Sequence, residues 1–129
     1  MSETFWLLAH PNPNGVFFYP TRLKKIRLLV VHTAENLPDF TPPDMAAESV
    51  SNYGATTTRK VSWHKTVDSD SIVDMLPDGY TAWHVTGFNS EALGEELATR
   101  AADWVNTPYP WRLAILDNCA RVLARWSVL

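Results

Sequence analysis

His32, His64 and His84 each lie at or near the end of a segment that reads as β-strand, and Glu35, Glu95 and Glu96 stand beside such segments or inside another. Three imidazoles so placed can hold a zinc ion, whose bound water ionises near pH ~7 and attacks a carbonyl while a carboxylate moves the proton. The spacing does not by itself select a ligand set. Each histidine taken singly is more often a packed or hydrogen-bonded residue than a ligand. His10 lies beside a loop punctuated by Pro11, Pro13 and Gly15 and reads as structural or exposed. The one cysteine, Cys119, makes neither an internal disulfide nor a thiolate metal site, and its helical neighbours mark it as a small core residue.

The elements that must position these groups follow from local pattern. Leu28-Leu29-Val30-Val31 is a run of four apolar residues that predicts a strand buried on both faces, at the centre of the sheet, with His32 at its lip. Residues 61–67 and 72–76 predict a β-hairpin closed by Asp68-Ser69-Asp70-Ser71, and residues 80–85 a further strand. Two Trp-His pairs, Trp63-His64 and Trp83-His84, therefore stand in strand-like segments. Thr41-Pro42-Pro43-Asp44 has the chemistry of a helix start, with a face through Ala46, Ala47, Val50 and Tyr53 and a stop at Gly54. A second helix opens at Thr107-Pro108 and runs through Leu113, Leu116, Ala120 and Leu123, with Ile115, Cys119, Val122 and Trp126 alongside. Residues 5–10 read as a short edge strand.

The totals bound the class. At 129 residues the chain makes one domain with a real core, and a net charge of −3 argues against nucleic acid as the main partner. The basic cluster Arg22, Lys24, Lys25, Arg27 reads as a solvated edge. No apolar run reaches membrane-spanning length and no basic leader precedes one, so neither a membrane nor an export signal is expected. The chain ends on an apolar helix turn at Ser127-Val128-Leu129 and so reads as one domain over 1–129 lacking its C-terminal portion, with a helix face open to self-association.

Four short motifs in order carry a resemblance: Val31-His32-Thr33-Ala34, Val61-Ser62-Trp63-His64, Ala82-Trp83-His84 and Leu93-Gly94-Glu95-Glu96-Leu97. The stretch from residue 26 onward resembles the zinc N-acetylmuramoyl-L-alanine amidases, including peptidoglycan-recognition-type domains, and is most similar to amidase domains of phage endolysins. The resemblance implies an α/β fold with a central mixed β-sheet flanked by helices. It implies hydrolysis of the amide between N-acetylmuramic acid and L-alanine of peptidoglycan, and a protein made in a bacterial cytoplasm that acts on the cell wall after release. His32 matches the first zinc ligand and Glu96 the general base on a strand, which would overrule the helical propensity of residues 93–98. His84 matches a position along the substrate groove, where Trp83 and Tyr80 would also bind substrate, and His64 one that supports the sheet. Trp63 stands where some members have a catalytic tyrosine, which would leave the acid–base load on Glu96. The family's remaining two zinc ligands lie beyond the last helix, so the zinc site is incomplete in this sequence and little activity is expected from this chain alone. The alternative is a non-catalytic peptidoglycan-binding module.

Overall fold

The computed structural model describes residues 18–37 and 40–129. Its frame is a four-stranded mixed sheet in the order β2-β6-β3-β4, with β2 at Leu28–Thr33, β3 at Lys65–Val67, β4 at Ile72–Asp74 and β6 at Ala92–Leu97. β6 is parallel to both its neighbours, and β3 and β4 form the antiparallel hairpin that the Asp68–Ser71 turn predicts. A separate two-stranded ribbon pairs β1 (Phe18–Tyr19) with β5 (Thr81–Ala82). The predicted strand at 5–10, and His10 with it, lies outside the described residues.

One expectation about the sheet is overturned. β2 is an edge strand among the described residues, not the centre, and Leu28, Leu29 and Val31 are about two-fifths exposed. An apolar run has the same composition whether its second face meets a helix or solvent, so its pattern could not fix its place. The central place belongs to β6, whose Leu-Gly-Glu-Glu-Leu sequence favours helix. Two parallel ladders hold it extended, and tertiary pairing outweighs intrinsic preference.

Helix α1 spans Ala46–Thr56, four residues later than Thr41-Pro42 suggested. Its first amides are capped from elsewhere: Ala46 N–H donates to Asp44 Oδ1 at 3.1 Å and Ala47 N–H to Asp68 Oδ2 at 2.8 Å. A carboxylate from the β3–β4 turn thus supplies the cap. Gly54 does not stop the helix. A Cβ there would stand 2.5 Å from Trp63 Cη2, so glycine lets the indole lie against α1. Ala46, Ala47, Val50, Trp63 and Val73 form the core on this side of the sheet.

Helix α2 (Tyr109–Trp126) covers the other side. Its buried face is Ile115, Asn118, Cys119, Val122 and Trp126, whereas Leu113 and Leu116 are nearly half exposed, so the inward stripe is rotated from the one expected. That stripe packs on Val67, Ile72, Leu93 and Leu97. Asn118 is fixed there because its Nδ2 donates to the Asp68 carbonyl at 3.0 Å.

One acid is enclosed in this apolar layer. Glu95 has no accessible surface; the Cys119 thiol donates to its Oε1 at 2.9 Å, and its Oε2 has no partner. Burial pushes the Glu95 carboxyl up from 4.5 to about 7, and burial, then the bond to Glu95, raises the thiol to about 12. A folded-state pKa above the unfolded one means that its stabilising contribution is full below pH 4.5 and is lost as pH rises to about 7. Glu95→Gln, which keeps an acceptor for Cys119, should flatten that loss, about 3 kcal/mol at most, in denaturation curves between pH 4 and 8.

Candidate active site

Strand alternation places the two consecutive glutamates on opposite faces. Glu96 is register partner of His32 on β2 and of Thr66 on β3, so the three share the face that carries α1. Above it opens a cleft of about 510 Å³, walled by the end of β2 and the residues after it (Thr33 to Asn36), by Ser49, Val50 and Tyr53 of α1, by Arg59, Val61, Ser62 and Trp63, and by Trp83 and His84, with Glu96 reaching in from β6. Burial alone raises the Glu96 carboxyl from 4.5 to about 7. Among the described residues no group donates a hydrogen bond to its oxygens, which leaves them open to water or substrate on that side.

The three candidate acids are now distinguishable. Glu95 is sealed under α2. Glu35 lies at the rim of the cleft, but its carboxylate is engaged by the Thr33 hydroxyl and by the Ala101 N–H at 3.1 Å, which hold it below its usual pKa. These bonds also tie down a backbone at φ 58°, uncommon for a side chain of this size. Only Glu96 combines an open carboxylate with a pKa near neutrality, as a proton carrier requires.

The histidines divide equally clearly. His64 is fully buried and its Nδ1 accepts from the Gly94 N–H at 3.1 Å, which assigns the proton to Nε2, 3.0 Å from the Tyr80 carbonyl. Burial lowers its pKa to about 4, so it is a neutral strut of the sheet, as expected. His84 lines the cleft, and its Nδ1 is 3.2 Å from His32 Nε2. Burial, then the neighbouring His64 and His32, pulls His84 down to about 3, and its Nε2 is buried without a partner. Burial also lowers His32.

Of the other residues expected here, Trp83 borders the cleft and Tyr80 does not. The Tyr80 ring stacks on Phe18 at 5.5 Å, and its carbonyl serves His64 and Arg22. Arg22 is likewise no solvated edge: its guanidinium binds the carbonyls of Asp78, Tyr80, Ser90 and Ala92. Tyr53 and Arg59 line the cleft without having been expected there, because their neighbourhood comes from the return of α1 over the sheet.

A family model for N-acetylmuramoyl-L-alanine amidase matches residues 22–128, 107 of the 129 residues. The chain belongs to that family. Its fold is similar to that of PlyL (TM-score 0.67, 20% identity, 98% of this chain and 72% of that one). It is also similar to the PlyG catalytic domain (0.64, 18%, 97% and 69%) and to a mutant endolysin from Bacillus subtilis (0.55, 22%, 74% and 60%). The chain therefore spans 60–72% of the length of these three structures. No curated protein matches it.

Amidases of this family are generally zinc-dependent. A catalytic zinc takes three protein donors. His32 and His84 stand together, and the orphaned His84 Nε2 shows an imidazole with spare capacity, but among the described residues no group of three or more His, Cys, Asp or Glu can hold a metal. The described residues of this amidase do not complete a three-donor zinc set.

Gly94 makes the histidine arrangement possible. A Cβ there would stand 2.4 Å from His84 Nδ1 and 2.5 Å from its Cε1, so the ring lies flat against bare backbone. Gly94→Ala should drive the His84 ring out of the cleft and break its bond to His32, at a cost of about 1–3 kcal/mol. Imidazole resonances and thermal denaturation of the variant check this; an unmoved His84 would contradict it.

Proposed function

We propose that the chain is the catalytic module of an endolysin that hydrolyses the amide joining N-acetylmuramic acid to L-alanine in peptidoglycan, acting at the bacterial cell wall. The observation that carries this reading is Glu96, an unengaged carboxyl with its pKa near 7 in the wall of the cleft. Glu96 accepts the proton of the attacking water as the new C–O bond forms at the lactyl carbonyl. It returns that proton to the alanine nitrogen as the C–N bond breaks. His84, held neutral, offers a hydrogen bond without adding charge, and Trp83 supplies an apolar wall for the substrate. His32 is the donor we assign to the family's zinc, and no step is derived through the metal. No helix among the described residues is long and apolar enough to cross a membrane.

Glu96→Gln should lower release of stem peptide from purified peptidoglycan by ~10²–10⁴-fold while leaving wall binding unchanged. Turnover undiminished in that variant sinks the assignment, and wall binding with no turnover in either protein at saturating zinc identifies a binding module. Zinc affinity followed by calorimetry should be weak, since the described donors are fewer than three, and should be lost in His32→Ala.

A further inference from the structure

We infer that the groove on the other side of Trp83 is a second subsite, which takes a neutral N-acetylated sugar unit of the glycan strand. The inference rests on the amidase reading and extends it from the scissile amide to the polysaccharide beside it. Trp83 lines both hollows, so the cleft that holds Glu96 and the second groove adjoin at that residue. That groove measures about 690 Å³, within the range of small-ligand sites.

Its chemistry differs from that of the cleft. The cleft is bordered by Glu35, Arg59, His84 and Glu96, whereas no charged or imidazole side chain is among the described residues lining the groove. The groove presents hydroxyls of Thr21, Thr86 and Ser90, the amide of Asn89, and two aromatic rings, Tyr19 and Trp83, with centroids 5.8 Å apart. A pyranose ring has an apolar C–H face that packs on aromatic rings and an equatorial belt of hydroxyls and acetamide that pairs with uncharged donors and acceptors. A stem peptide, with its carboxylates and ammonium groups, finds no counter-charge among the described lining residues of the groove, whereas the cleft offers Glu35, Arg59 and Glu96. The two hollows thus sort the two halves of a glycopeptide by charge.

The groove is also built to keep its shape. The β1–β5 ribbon sets Tyr19 opposite Thr81, and the Thr81 hydroxyl donates to the Thr21 carbonyl at 2.8 Å. Asn89 Oδ1 accepts the N–H groups of His84 and Val85 at 3.0 and 2.8 Å, so its Nδ2 keeps both donors for a ligand. The same turn carries His84 toward the cleft. One side chain therefore fixes the spacing between the sugar site and the reacting amide.

The test is titration of the ¹⁵N-labelled 129-residue chain with tri-N-acetylchitotriose and, separately, with an unglycosylated stem peptide. The trimer should shift the amides of Thr86, Gly87, Asn89 and Ser90. Its affinity should fall at least fivefold in Tyr19→Ala and in Thr86→Trp, which fills the groove from an exposed position. The stem peptide should shift residues around Arg59 and Glu96 equally in all three proteins, which also shows that the variants fold. Trimer shifts confined to His84 and Glu96, no trimer binding, or an affinity unchanged in both variants overturns the subsite, and peptide binding in the cleft then leaves the amidase reading standing. Trimer binding in the groove without peptide binding or hydrolysis keeps the sugar site and removes the amidase reading.

Discussion

Everything in the site depends on β6 being held between two parallel neighbours. Its backbone is fixed by ladders on both sides, so successive side chains have no choice but to alternate between the two faces. Glu95 goes under α2 and Glu96 into the cleft, and a slip of one residue would exchange them. The same strand offers Gly94 as the bare surface beneath His84 and as the donor to His64. One six-residue strand thus sets the position of the cleft carboxyl, the histidine beside it and the histidine beneath.

Burial does similar electrostatic work on the two faces with opposite consequences. Both carboxyls are raised to about 7 by loss of water. At Glu95 there is no solvent path and no substrate, so the shift registers only as a cost in stability. At Glu96 the same shift falls in the wall of an open cleft, the place that the proposed proton transfer requires. Access, not acidity, separates the carboxyl in the cleft from the one under α2.

The sequence made several features legible because they are local. The hairpin followed from its turn residues, α2 from a long apolar periodicity, and Cys119 from its helical company. The motif order from His32 to Glu96 pointed to the amidase family and to a mixed sheet flanked by helices. Features that depend on distant segments were not legible. β2 looked central because four apolar residues say nothing about what lies on the second face. α1 looked capped by Thr41, whereas its first amides bond to Asp44 and to Asp68, the latter more than twenty residues downstream. Tyr80 looked like a ligand-binding aromatic, yet Phe18 reaches it first. The alliance of Glu95 with Cys119 had no trace in spacing, since strand and helix meet only after the fold is complete.

Arg22 shows what such distant closure implies. Its fork reaches carbonyls on two separate stretches, Asp78 to Tyr80 and Ser90 to Ala92, which are 56 to 70 residues away in sequence. An ammonium group has three hydrogens at a single point and could not satisfy acceptors spread around a planar rim, so lysine is no substitute there despite its equal charge. The segment entering the sheet is therefore a rivet for the two loops that flank β5. Peeling it away would loosen both loops at once, and with them the start of β6 and the hold of Asp78 on Trp126.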